Sequence, residues 1–224
     1  MTRIGHGLDP IEKKSVANPR HPRSTPNSIA FTLHTTNMMT QTELLDRLEL
    51  DLTDLLKQVR AKFSNQAPEA LLLRPGSAKW NVQECFAHLN AQFDYYLPRI
   101  ELALHKAKAR RWIPAPERSS NWLGRKAIRR ADPANLAQKL RHSPKGIDPL
   151  KLLKVRENEV KTFLINIEMM LRLVRQAREV DTNRPTIKPM RWNISAYLLG
   201  DLLEYLVLHA RRHVLQAQAV VGAY

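Results

Sequence analysis

The chain has little cysteine and little glycine: one Cys, Cys85, and seven Gly among 224 residues. A single thiol excludes an internal disulfide framework and any zinc site built from cysteines alone, and it fits a reducing cytosol. Apolar residues with a strong strand preference are scattered, which argues against a sheet protein. No run approaches the roughly 18–20 uninterrupted apolar residues of a membrane span, and no compact apolar stretch follows the first residues as in a secretory signal. These absences predict a soluble, cytoplasmic chain with no membrane partner. Acidic residues are also scarce, 21 Asp and Glu against 36 Lys and Arg, for a formal charge of +15. That excess raises nucleic acid, membrane surfaces and acidic small molecules as partners.

What is present favours helix. Leu, Ala, Arg, Lys, Glu and Gln run in long stretches, and the 43% hydrophobic share is enough for a sizeable core. Residues 1–38 differ from the rest. Pro10, Pro19, Pro22 and Pro26 interrupt any helix and no apolar period is sustained. The expectation is a disordered extension, with a targeting segment as the weaker alternative and a true translation start at Met38 or Met39 as another. From Thr40, Leu44, Leu48, Leu52, Leu55, Val59 and Phe63 step by three or four along one face and predict a first helix ending before Pro68. A second helix follows Trp80, with Asn81 as cap and Glu84 reaching back to the free amides. Its face is Val82, Phe86, Leu89, Phe93, Tyr96 and Ile100. A third restarts near Pro149 with Leu153, Val160, Leu164, Ile167, Leu171 and Val174, and a fourth follows Trp192 with Asn193 or Ser195 as cap. Four such helices predict an all-α four-helix bundle spanning residues 39–224. Lys79-Trp80-Asn81-Val82 and Arg191-Trp192-Asn193-Ile194 form a faint internal echo.

The charge is concentrated. From His105 to Arg130 nine basic residues face one acidic residue, Glu117, which assigns about half of the excess to a long basic connection between helices two and three. Pro114, Pro116, Gly124 and Pro133 break that stretch, leaving room for one short helix around Trp122 to Arg130.

On the fourth helix Leu199, Leu202, Leu206, His209, His213, Gln216 and Val220 advance by alternating threes and fours, the buried seam of a bundle helix. His209 and His213 therefore point inward, one turn apart on one face, close enough to bind one ion. Two imidazoles in an apolar core need polar partners, and a shared metal would satisfy both. His88, beside Leu89 at the edge of the second helix's face, is a candidate third ligand, with a plain core histidine bonded to a carbonyl as the alternative.

Trp80-Asn81, Glu84 and His88-Leu89, then Leu199-Gly200-Asp201 running into His209-Ala-Arg-Arg-His213-Val-Leu-Gln216, resemble the DinB-like (YfiT-like) metal-binding superfamily over residues 39–221. The resemblance implies a four-helix bundle with one histidine from the second helix and an HxxxH pair from the fourth around a divalent ion. Those roles fall on His88, His209 and His213. Similar proteins include S-transferases that use low-molecular-weight thiols and others described as metal-dependent hydrolases. An ion on neutral ligands, zinc, nickel or manganese, can activate a thiol or a water. The reading is a metal-dependent enzyme acting on a small-molecule substrate, with thiol transfer preferred because an anionic thiol would be drawn to the basic connection. A homodimer stays open.

Other residues carry plainer expectations. Cys85, three residues before His88, reads as a buried small apolar residue rather than a fourth ligand. Glu84, Asp201 and Glu204 read as capping or surface charge rather than as supports for the ligands. Trp80 and Trp192 read as packing at the bundle ends, with a substrate wall as the lesser alternative, His105 and His142 as solvated, and His6, His21 and His34 as part of the extension. The competing reading is a non-enzymatic bundle whose basic stretch, with Trp112 and Trp122 interleaved, binds nucleic acid or another polyanion. No known reading helix or motif accompanies that charge.

Overall fold

Thr40 opens the first helix by a reciprocal cap: its hydroxyl accepts from the Glu43 amide and the Glu43 carboxylate accepts from the Thr40 amide. In the computed structural model, residues 39–77, 79–135, 147–150, 156, 158–190 and 195–222 are described. The extension 1–38, His142, Leu153 and the second tetrapeptide at 191–194, with Trp192 and Asn193, lie outside them. Among the described residues no helix is long and apolar enough to cross a membrane.

Helix α1 spans Gln41–Phe63 and buries the predicted stripe from Leu44 to Phe63. It stops short of Pro68, which instead takes the first position of a short α2, Pro68–Leu72, where its missing N–H leaves no bond unmade. Asn81 and Glu84 cap α3, Val82–Ala109, by the same reciprocal device, and the predicted face from Val82 to Ile100 is buried. This helix continues past Ile100, burying Leu104 and Ala107 on the same face. His105, Lys106 and Lys108, read from the sequence as part of the connection, form its last turns, where cations suit the dipole's negative end. Beyond it the Trp112 amide bonds to the Ala107 carbonyl and the Arg111 amide to that of Lys108, a Schellman ending with Arg111 at φ 53°. A residue with a Cβ gives up roughly 1–2 kcal/mol in that left-handed region.

The expected short helix forms as α4, Trp122–Ala131, capped by Asn121, and a 3-10 turn at Pro133–Asn135 follows. Two expected starts are corrected. Helix α5, Glu159–Ala177, begins well after Pro149, which sits in a turn. The cap is Asn158, whose side chain accepts from the Lys161 amide, while buried Glu159 is held by Asn90 and Gln83. Helix α6, Leu199–Val221, has no side-chain cap, so Ser195 does not serve. Its first amides go to backbone instead, Leu199 to Pro185 and Gly200 to Thr182. Immediately before it, β2 (Tyr197–Leu198) pairs antiparallel with β1 (Thr186–Ile187). Strands of two residues carry no readable period, which is why the sequence did not announce them.

Helices α1 and α3 each pack on both α5 and α6, so the four long helices surround one core and α1 and α3 stand diagonally. The chain is an all-α bundle. Phe63, Phe86, Phe93 and Phe163 interlock at its centre, with ring centroids of 5.2 Å for Phe63 and Phe86 and 5.0 Å for Phe86 and Phe163. Each buried large side chain contributes about 1.5–3 kcal/mol.

Helix α4 docks on α6 through charge. Asp201, fully buried, accepts from the Arg118 guanidinium at 3.2 Å and from the Asn121 amide at 3.0 Å. Glu204 takes Arg118 and Arg47. Gly124 makes this approach possible, because a Cβ there would lie 2.0 Å from the Asp201 Oδ2. Asp201 and Glu204 are therefore buried anchors of the connection, a correction to their reading as capping or surface charge. The sequence could not show it, since Arg118 lies 83 residues before Asp201.

Candidate metal centre

His88 comes from the second turn of α3, and His209 and His213 from successive turns of α6. Because α3 and α6 are neighbours, the three rings meet across their seam. Ring centroids lie 5.3 Å apart for His88 and His209, 4.8 Å for His88 and His213, and 4.5 Å for His209 and His213. One ligating atom from each falls within 4.8 Å of the others, and no carboxylate or thiol joins the group among the described residues. His88 and His213 are buried, and His209 keeps some exposure.

The hydrogen bonds around the rings fix where the lone pairs point. His88 Nδ1 donates to the Ile147 carbonyl at 2.9 Å, which leaves its Nε2 unprotonated. His213 Nδ1 donates to Gln216 Oε1 at 2.9 Å, with the same result. Tyr205 donates its hydroxyl to Gln92 Oε1 at 3.3 Å, which orients the amide so that Gln92 Nε2 donates to His209 Nε2 at 3.0 Å. The Nε2 atoms of His88 and His209 lie 3.1 Å apart, and Gln92 Nε2 shares the His209 nitrogen.

A divalent ion at this point would take the lone pairs of both nitrogens in place of their present contacts. Nitrogens sharing a tetrahedral ion at about 2.0–2.1 Å lie roughly 3.3 Å apart, near the separation observed. The protonation state also suits ligation. Burial pushes all three imidazoles below their ordinary range. For His88 the Ile147 carbonyl and Asp148 partly offset it; for His209 the fall is large and His213 and His88 add to it; for His213 the value drops to about 3, with His88 adding. Neutral imidazole is the ligating form. The residues present fit a divalent ion, and an all-nitrogen set suits zinc, nickel or a similar transition metal better than magnesium or calcium.

Residues 51–217 match the family model of the DinB superfamily. The chain belongs to the DinB superfamily. No curated protein and no solved structure matches it. Membership of the DinB superfamily and the three-histidine cluster agree on a site that can hold a metal ion; neither names the metal.

The structure brings the three predicted histidines together and leaves the others apart. His105 is exposed on α3. Cys85 is buried outside the cluster, where desolvation, then the charge of Glu84, push its thiol up to about 12. Trp80, expected to pack at the bundle end, has its ring 5.0 Å from His88 and 5.7 Å from His213, so it walls the cluster. Gln92 and Tyr205 were missed. The signal was available: Gln92 follows His88 by four residues and Tyr205 precedes His209 by four, so each shares its histidine's face.

Proposed function

We propose that this DinB-superfamily protein is a metal-dependent enzyme in which His88, His209 and His213 hold a divalent ion that activates a low-molecular-weight thiol for transfer to a small-molecule electrophile. The observation that carries the reading is the convergence of three imidazoles whose ligating atoms lie within 4.8 Å of one another, with Nδ1 of His88 and of His213 engaged by carbonyl oxygens. An ion held by three neutral imidazoles keeps its full double charge and supplies enough Lewis acidity to make a thiol or a water nucleophilic near neutral pH.

The chain's own residues hold and shield the site. Ile147 and Gln216 orient two rings through Nδ1, and the Tyr205–Gln92 pair positions the third. Trp80 covers two of the rings, while the partly exposed His209 marks the side open to substrate. Burial raises the Tyr205 phenol, so it stays a hydrogen-bond donor and not a base. Water as nucleophile ordinarily needs a nearby carboxylate to take its proton, whereas a thiol, acidic by about seven orders of magnitude more than water, does not. The carboxylates Glu84, Asp201 and Glu204 are occupied by arginines and backbone amides. Asp148, whose carboxylate acts on His88, could take that proton, so the preference for thiol transfer rests on the acidity of the thiol.

Elemental analysis of protein purified without chelator, with a conjugation assay using several low-molecular-weight thiols and a chromogenic electrophile, tests the proposal. The expected result is about one equivalent of zinc, nickel or manganese and thiol-dependent turnover lost in His213→Ala. Bound metal with ester or amide hydrolysis and no thiol dependence would shift the reading to a hydrolase. No metal retained after reloading with these ions would overturn it.

A further inference from the structure

The far half of α3 carries a second polar stripe. Tyr95, Arg99, Ala103, Lys106 and Arg110 follow one another by three or four residues on a single helical face. They form one wall of a cavity of about 660 Å³ whose other wall is residues 184–188, including β1. Its size falls within the range of small-molecule sites, about 300–1,000 Å³. Arg99 stands 11 residues beyond His88, about 16 Å along the helix axis. None of the three histidines lines the cavity.

Five cations line it, Arg99, Lys106, Arg110, Arg184 and Lys188, and no described carboxylate does. The nearby acids are engaged: Glu179 with Lys108, Glu101 with Arg172 and Asp181 with Arg184. Of the five, only Arg184 has a carboxylate partner among the described residues. The other four repel one another across a shared hollow, an arrangement that packing alone does not favour.

Aromatic rings support three of the guanidinium groups, and Arg184 also has the Asp181 carboxylate. Arg99 lies 3.7 Å from the centroid of Tyr95, and Arg110 and Arg184 lie 5.1 Å and 5.9 Å from that of Trp112. A ring face supports the guanidinium plane and leaves its N–H edge open, where a carboxylate would have occupied that edge. Arg99 gives one donor to the Tyr95 carbonyl, at 2.6 Å, and keeps the rest. Trp112 is itself fixed. Its amide closes the Schellman ending and its carbonyl accepts from the Asp181 amide at 2.9 Å. The left-handed Arg111 that turns the chain into this position stores backbone strain at the cavity's rim.

We propose that this cavity binds a compact phosphorylated anion, an inorganic polyphosphate or a phosphate ester with several negative charges, at a site separate from the histidine cluster. Guanidinium forks match phosphate oxygens in pairs, and lysines add point charge. A compact polyanion matches the size of this open hollow.

Titration calorimetry of the full chain at physiological salt, with inorganic tripolyphosphate, adenosine triphosphate and a short single-stranded oligonucleotide as probes, tests this. Saturable binding of about one equivalent of either small anion is expected. Arg99→Glu and Lys106→Glu should each weaken it at least tenfold, with Lys188→Gln as a milder third change; all three side chains are exposed, so the variants should fold. His213→Ala should leave it unchanged. No saturable binding at millimolar anion, or affinity unmoved by both charge reversals, overturns the proposal. So does an oligonucleotide that binds more tightly than either small anion with steep salt dependence, which would assign the charge to nucleic acid.

Discussion

Two polar regions share α6 and differ in how they are satisfied. In its first turns Asp201 and Glu204 are buried and charged, and each finds its partners within the chain, Arg118, Arg47 and the Asn121 amide. Further along, burial holds His209 and His213 below their ordinary range, and with His88 they bring three ligating atoms within 4.8 Å of one another. The first region is complete as it stands and fixes architecture. The second can hold a metal ion. Burial alone does not tell the two apart; the convergence of three like ligating atoms does.

Exchanging damage between the regions breaks or sharpens that distinction. His213→Ala should weaken zinc or nickel retention more than about 100-fold, beyond what losing a supporting hydrogen bond costs, with helix content unchanged. His105→Ala is the control. Equilibrium dialysis with elemental analysis reads the first effect and far-UV circular dichroism the second. A large loss of helix in His213→Ala would mean that the histidines are architectural after all. Asp201→Ala should do the reverse, costing about 3 kcal/mol, the low end for a broken buried pair because Glu204 still holds Arg118. Thermal denaturation should show a drop of roughly 10 °C with metal stoichiometry intact.

Gly124→Ala should cost about 1–3 kcal/mol, since its Cβ would displace the Asp201 carboxylate. The same change in an Asp201→Ala background should cost much less, whereas Asp201→Ala and His213→Ala should add. Additive Gly124 and Asp201 effects would disconnect the glycine from the clamp. The smallest effect expected is at Arg111. Replacing it with Gly relieves about 1–2 kcal/mol of left-handed strain and gives back about 0.5–1 in backbone entropy. A gain of up to about 1.5 kcal/mol should appear in urea denaturation, and a loss would show that the arginine side chain matters more than its backbone.

The bundle was legible because apolar spacing is a local property. The stripes from Leu44 to Phe63 and from Val82 to Ile100 needed no partner to be read. His209 and His213 were legible for the same reason, as members of a seam, and His88 by its place beside Leu89 and through the family resemblance. What failed depended on distant chain. The start of α6 rests on the carbonyls of Pro185 and Thr182, the start of α5 on Asn158 rather than Pro149, and the burial of Asp201 on Arg118. Gln92 and Tyr205 were local and were overlooked because an amide and a phenol do not advertise metal chemistry as histidine does.

The Trp112 backbone is bonded on one side to Ala107 at the end of α3 and on the other to Asp181 just beyond α5. In mechanical terms it is a cross-tie. Tension applied through the connection toward α4 would be divided at Trp112 between the ends of two helices before reaching the bundle interior, so this junction would bear load as a shear pair and would not unzip one turn at a time.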